Sequence, residues 1–377
     1  MSYLDNKKVA IVHDWFDKYS GAERVIEQIL DLYPNADLFA LVDFLPQNER
    51  AFIKNKQVKT TFIQRLPFAR KKFRNYLGFF PLAVDQIDLR GYDIVLSSSH
   101  AVVKGVLTHA DQLHICYCHS PMRYVWDLYH DYLEDVGLKR GFKAGLVKWI
   151  LHRIRIWDFV SSARVNYYIA NSHYISRRIK NAYQRSSKVI YPPVNTALYV
   201  PVESKKSYYF TAARMVPYKK LALIAAAFSK MPDRRLILAT NGEVTADFIR
   251  SVSPNVSVKV NMSPAEFHKH LTEAKAFVYA AEEDFGIVMA EAQAAGVPVI
   301  AYKKGGASEI VIDGQTGILY EHQTEDSIID AIKNFENQNF DSQKISDAAK
   351  RFSIPSFKEN FNDYVEACSR DFFNLPS

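Results

Sequence analysis

Ala276-Phe277-Val278-Tyr279 is followed by Ala281-Glu282-Glu283-Asp284-Phe285-Gly286-Ile287-Val288-Met289-Ala290-Glu291, and then by Val297-Pro298-Val299-Ile300-Ala301. The first and last runs are short and apolar, and each reads as a buried strand. Between them Ala290, Ala292, Ala294, Ala295 and Gly296 are small, as suits a helix lying close against its neighbours. Strand, helix and strand in that order make a parallel pair joined by a helical crossover.

The same alternation runs through the chain. Val9-Ala10-Ile11-Val12 leads through Ser20-Gly21-Ala22-Glu23 into Val25, Ile26, Ile29 and Leu30 at helical spacing. Further strands are expected at 93–97, 113–117 and 167–170, and, after Tyr191-Pro192-Pro193-Val194-Asn195, at 208–211, 235–239 and 256–260. A chain of 377 residues exceeds the size at which single cores stop growing. The expectation is an α/β protein with two doubly wound, Rossmann-like domains, 1–195 and 196–355, and ligands at the carboxyl ends of strands in an inter-domain cleft. Ser356 to Phe373 reads as a polar helix with apolar Phe357, Phe361, Tyr364 and Val365. Residues 356–377 are expected to pack back on the first domain.

Composition bounds the class. Hydrophobic residues are 48% and charged residues 24%, a soluble globular balance. No run reaches the ~18 apolar residues of a membrane span. Met1 to Lys8 lacks the apolar core of a signal peptide. Three cysteines, Cys116, Cys118 and Cys368, are too few for a disulfide framework and fit a reducing cytosol. The net charge of +7 is uneven: residues 1–195 hold 28 Lys and Arg against 18 Asp and Glu. Such asymmetry suggests a basic face toward an anionic membrane or acceptor. Two stretches mix bases with large apolar residues, Arg65 to Phe80 and Gly141 to Trp157. Either could lie on an anionic bilayer, and each would equally suit a core-facing helix with a solvated basic side. No nucleic-acid-reading module is recognisable, so no nucleic acid partner is expected.

Glu283 and Glu291 bracket the Phe285-Gly286 turn at the mouth of a helix. A helix N-terminus suits a phosphate, and carboxylates accept from paired hydroxyls. A solvated acidic loop followed by a helix-start carboxylate would give the same text. Arg214 and Lys219 follow a strand, with Pro217 bending the chain between them. Two cations there could neutralise a departing diphosphate; a surface basic loop is the alternative, and Lys220 competes with Lys219. Ser20-Gly21-Ala22 is a small-residue loop whose N–H groups could approach phosphate, though it is no spaced glycine fingerprint. His119 ends a strand and could bond a sugar hydroxyl or line an acceptor site; a lone histidine is more often structural. Cys116, Cys118 and His119 do not make a metal site, because Cys118 and His119 point to opposite faces and no second ligand pair follows.

Together these motifs resemble the retaining glycosyltransferases of family 4, with the GT-B fold. The residues that carry the resemblance are Glu283 with Glu291, Arg214 with Lys219, and Ser20-Gly21-Ala22-Glu23-Arg24. It extends to Ile169-Ala170-Asn171-Ser172, Val189 to Asn195, and Gly305-Gly306-Ala307-Ser308-Glu309. Val12-His13-Asp14-Trp15, Ser97 to Val102 and His114 to Tyr124 are similar to the mannosyltransferase-like branch of bacterial O-antigen and exopolysaccharide synthesis. The resemblance implies a nucleotide-sugar donor, GDP-mannose, and a glycan or polyprenyl-diphosphate-linked acceptor at the inner membrane face. It implies a cytoplasmic, peripheral enzyme without metal or cofactor. By it, Glu291 binds the donor ribose and Glu283 the transferred sugar. Arg214 and Lys219 hold the diphosphate, while Phe285, Gly286 and Ile287 offer backbone to sugar and phosphate. Gly21 and Ala22 line the donor site, and His119 contacts the sugar near the reacting carbon. Asp14, Ser120, Arg123 and Tyr124 fall on the acceptor side. The alternatives are a UDP-sugar-dependent enzyme of the same family, and a basic membrane- or nucleic-acid-binding protein that is no enzyme.

Overall fold

A computed structural model describes residues 6–135, 141–202 and 204–374. Met1 to Asp5, part of the start read above for a leader, and residues 375–377 of the expected C-terminal helix lie outside the described residues. The chain divides into two compact units: residues up to Pro192 together with those from Phe357 onward, and Pro193–Ser356.

In the first unit seven parallel strands lie in the order β3-β2-β1-β4-β5-β6-β7. They are β1 (Val9–His13), β2 (Asp37–Ala40), β3 (Val58–Thr60), β4 (Ile94–Ser99), β5 (Leu113–Cys118), β6 (Tyr167–Ala170) and β7 (Ser187–Val189). Every residue of β1, β4 and β5 is buried, as a parallel sheet covered on both faces requires. In the second unit six strands follow the order β10-β9-β8-β11-β12-β13. They are β8 (Tyr208–Ala212), β9 (Arg235–Thr240), β10 (Val256–Val260), β11 (Ala276–Tyr279), β12 (Val299–Tyr302) and β13 (Gly317–Tyr320). In each sheet the strand order reverses beside the first strand of that unit, β1 or β8, and loops splay apart at such switch points. The α/β reading, two doubly wound parallel sheets, is therefore correct.

The helix Ile354–Phe373 belongs to the first unit from Phe357 onward. It buries Phe357, Phe361, Val365 and Cys368 in the core that also holds Ile11, Ile29, Leu96 and Tyr117. Tyr117 meets Phe357 and Phe361 with ring centroids 6.1 and 6.4 Å apart. At the rim Lys358 donates to Asp31 at 2.7 Å, and Tyr33 donates to Asn362 at 3.3 Å.

The two basic apolar stretches fold differently from each other. Arg65 to Phe80 is no single helix. Short turns at Phe62–Arg65, Ala69–Lys72 and Phe73–Phe79 break it up, with Phe68 left-handed at φ 57°. Pro67, Gly78 and Pro81 deny it a continuous helix. Gly141 to Trp157, in contrast, opens a long helix, Phe142–Ser161. Leu151 and Ile154 of that helix enter the core, with Ile150 and Trp157 against it. Phe142, Leu146, Trp149 and Ile156 face outward.

Candidate functional site

In the second unit the chain leaves β8 through Ala213 and turns at Pro217–Lys219, where proline occupies a first-turn position that needs no N–H. Lys220 is left-handed and exposed, which turns it away and leaves Lys219 facing inward. The Lys219 ammonium forms an ion pair and hydrogen bond with Glu283, both side chains being only 14% and 13% exposed. Tyr279, the last residue of β11, donates its hydroxyl to the same Glu283 oxygen at 2.9 Å, and Lys219 reaches that hydroxyl at 3.4 Å. Arg214 stands exposed nearby in sequence and donates to the Tyr218 hydroxyl at 3.0 Å.

Glu283 is held by backbone as well. It bridges to Gly305, and the Gly306 N–H donates to its carbonyl at 2.8 Å. A Cβ on Gly305 would sit 2.2 Å from the Glu283 carbonyl oxygen, and one on Gly306 would sit 2.0 Å from that of Phe285. Only glycine lets the two loops touch there. Phe285 is buried edge-on against Phe352, with ring centroids 5.3 Å apart. Gly286, at φ 92°, caps the helix Ile287–Ala294, whose first N–H groups have no intrahelical acceptor. Glu291 lies within that helix and is buried. The structure thus gathers Lys219, Glu283, Phe285, Gly286 and Ile287 at one helix mouth. The geometry suits an anion on the N–H groups and a polyol on the carboxylate.

In the first unit, Ser20 caps the helix Gly21–Leu32, and Gly21 and Ala22 begin it. The Ser20 N–H and hydroxyl both donate to Glu23 Oε2, at 3.0 and 2.6 Å. His119 follows β5, partly exposed, with Nε2 2.8 Å from Ser98 Oγ. Burial, reinforced by the neighbouring His100 and His13, pushes the His119 imidazole down to about 3, so it is neutral near pH 7.

Asp14, expected on the acceptor side, has a fully buried carboxylate that takes four backbone N–H groups. Those of His100 and Ala101 reach Oδ2 at 2.6 and 2.9 Å, and those of Val102 and Val103 reach Oδ1 at 2.8 and 3.0 Å. Burial alone would raise this carboxyl; the adjacent His100 ring and the backbone N–H groups outweigh it and hold it low. Asp14 therefore braces the loop after β4. Ser120 donates to the Pro121 carbonyl and accepts from Arg178, both at 2.8 Å. Tyr124 donates to Met122 Sδ at 3.3 Å, and Arg123 starts the short turn Arg123–Val125.

No individual role attached in the sequence to Tyr279, Gly305, Gly306, His13 or Ser98, which stood there only as strand or motif residues. Each sits at or just beyond a strand's carboxyl end, and a polar or glycine residue closing an apolar run was the available signal.

Residues 19–198 match the family described as Glycosyltransferase Family 4, and residues 200–352 match Glycosyl transferases group 1. A lipopolysaccharide 1,2-N-acetylglucosaminetransferase of Salmonella typhimurium is 29% identical over 183 residues, 43% of this chain and 48% of that protein. A mouse (Mus musculus) GDP-Man:Man(3)GlcNAc(2)-PP-Dol alpha-1,2-mannosyltransferase is 27% identical over 216 residues, 49% of this chain and 44% of its own. The chain spans about half the length of the curated relatives it matches. The crystal structure of Anabaena HepE in complex with UDP and glucose superposes with a TM-score of 0.67 at 17% identity, covering 96% of this chain and 99% of that one. The first part of the chain is thus similar to Glycosyltransferase Family 4 and the second to Glycosyl transferases group 1, and the two parallel-sheet units have the GT-B fold.

Proposed function

We propose that this protein is a retaining, metal-independent hexosyltransferase that moves mannose from GDP-mannose to a glycan or polyprenyl-diphosphate-linked acceptor in bacterial surface polysaccharide synthesis. The observation that carries the reading is the Lys219–Glu283–Tyr279 group at the mouth of the Ile287 helix. On this reading the donor diphosphate draws Lys219, with Arg214, onto its oxygens, and the freed Glu283 carboxylate takes sugar hydroxyls. Glu291 takes the ribose. The bond from the anomeric carbon to the phosphate oxygen breaks as the acceptor oxygen attacks the same face, and the leaving phosphate receives the acceptor's proton. Lys219, Arg214 and the helix N–H groups stabilise the charge that develops there.

The mannosyltransferase relative supports mannose as the sugar. A second reading, a UDP-sugar donor, is favoured by the acetylglucosaminetransferase relative and by the UDP-bound structural neighbour. Thermal unfolding with a panel of nucleotide sugars separates them, because a ligand that prefers the folded state raises the midpoint. The expected outcome is a shift with GDP-mannose that EDTA leaves unchanged. A shift with UDP-sugars alone would replace mannose and keep the mechanism. No shift with any donor would revive the non-enzyme binding protein.

For the acceptor, the outward face of Phe142–Ser161 supports an anionic bilayer. Phe142 is 89% exposed and Trp149 59%, beside Lys143 and Arg153. Apolar residues that would enter the headgroup boundary thus alternate with bases that would meet anionic lipid. A peripheral place on the inner face of the plasma membrane follows from that reading.

A further inference from the structure

The strand order of the first sheet reverses beside β1, so the loops that leave β1 and β4 diverge there, the position at which open α/β sheets take their ligands. Trp15 lies two residues beyond β1, and His100 directly follows β4. Their rings meet edge-on with centroids 4.5 Å apart.

A cation is fixed at this place. Phe73 is buried in the core, and its ring meets that of Trp15 at 5.3 Å. Phe73 thereby carries the next residue, Arg74, over both rings. The guanidinium carbon lies 5.2 Å from the Trp15 centroid and 4.5 Å from that of Phe73. A cation within about 6 Å of an aromatic centroid is attracted by the ring quadrupole. Asp17 completes the clamp by accepting from Arg74 Nη2 at 2.7 Å.

The clamp engages the guanidinium at one corner only. Arg90, by comparison, turns Nε and Nη2 together onto Asp88, at 2.9 and 2.7 Å. Arg74 gives Asp17 a single nitrogen, and among the described residues nothing accepts from its Nε or Nη1. Its side chain is 57% exposed, so these N–H groups can meet a ligand. They form the planar fork that matches phosphate oxygens. The other bases of the stretch differ. Arg65, Arg70, Lys71 and Lys72 are exposed, and among the described residues their side chains have no hydrogen bond, ion pair or ring contact. Binding through them would have to order a loose side chain, a cost that the clamp removes at Arg74.

We infer that Arg74 is the anion contact of the acceptor site and binds phosphate oxygens of a polyprenyl-diphosphate carrier, held in place by Trp15, Phe73 and Asp17. That the phosphate is carried on lipid rests on the functional reading above; the preformed cation stands on its clamp alone.

Equilibrium dialysis of the donor-free protein against farnesyl diphosphate, a short polyprenyl diphosphate, reads the contact directly. Arg74→Met keeps an apolar stem over Trp15. It should bind the probe at least about tenfold more weakly at an unchanged Tm, as for loss of a charge-assisted hydrogen bond. Arg74→Lys keeps the charge without the fork and should recover only part of that loss. Arg70→Met should stay within about twofold of the wild type. Equal binding by wild type and Arg74→Met, or an equal loss in Arg70→Met, would overturn the inference. Farnesol and inorganic pyrophosphate should each bind more weakly than farnesyl diphosphate. Pyrophosphate held as tightly through Arg74 would make this a site for free phosphate and overturn the lipid assignment. Whichever nucleotide sugar shifts the wild-type Tm should shift Arg74→Met equally; a lost shift would assign Arg74 to the donor instead. Dialysis needs no transfer, so Arg74-dependent binding by a protein that moves no sugar would support the site and fail only the functional reading.

Discussion

Lys219 and Glu283 neutralise each other across a contact that is mostly shielded from water. On the proposed reading each is released to the donor, so Lys219→Ala and Glu283→Ala should each lower kcat at least about 100-fold, as for removal of a group aimed at developing charge. Circular dichroism of both variants should remain that of the folded protein; near-wild-type turnover by either would remove the assigned role. The buried imidazoles make a separate prediction. Burial pushes His114 down to about 4 and His119 to about 3, and lowers His100. The unfolded chain takes up these protons near pH 6.5 and the folded one does not, so stability falls as pH drops from about 6.5 toward 4. The cost is on the order of a few kcal/mol over that window. Glu23, held at about 2, adds to the loss below about pH 4.5. Urea midpoints measured from pH 7.5 to 4.5 should decline; a flat profile would contradict the buried neutral histidines. Lys219 and Glu283 were legible because charged residues beside turns and a helix start stand out from apolar runs. Asp14 looked the same in sequence, and only the four N–H groups folded around it reveal a brace.

Among the elements, the runs of β1, β4, β5, β6, β8, β9, β11 and β12 were readable because burial on both faces demands unbroken apolar text, while the edge strand β10 showed itself by alternation, Val256, Val258 and Val260 against Ser257 and Lys259. Four strands escaped notice: β2, β3, β7 and β13. β3 and β7 are three residues each and lie at or near the sheet edge, with exposed Lys59 and Lys188, so little apolar text marks them. β13 opens on Gly317, whose backbone lies so close to Val299 that a Cβ would stand 1.9 Å from its carbonyl oxygen. Gly305-Gly306 was seen as a motif without a role, since its partner loop lies some twenty residues away in sequence. The contact predicts that Gly306→Ala pushes the Phe285 backbone away, at a cost of about 2 kcal/mol or more. A lower urea midpoint with an unchanged slope would register that loss; an unmoved midpoint would mean that the loops are not pressed together.

At the scale of the whole molecule, the uneven charge visible in the composition finds a concrete carrier in the Phe142–Ser161 helix. Vesicles rich in anionic lipid should retain the protein at low salt, and neutral vesicles should not. Trp149→Ala combined with Phe142→Ala should weaken retention by at least about tenfold, since each ring buries apolar area in the headgroup boundary. Equal retention by neutral vesicles, or no change in the double variant, would count against this face. The two-domain reading was available from the restart of the strand pattern after Asn195, whereas the return of the last helix rested only on its apolar spacing. That return has a consequence for synthesis on the ribosome. Pro193–Ser356 is one unbroken segment and can close as soon as it emerges. The earlier-made sheet cannot: its core around Tyr117 and Ile29 stays uncovered until Phe357, Phe361 and Val365 arrive. The part translated first is therefore the part completed last, and a nascent chain stalled before residue 357 would expose that apolar face to chaperones.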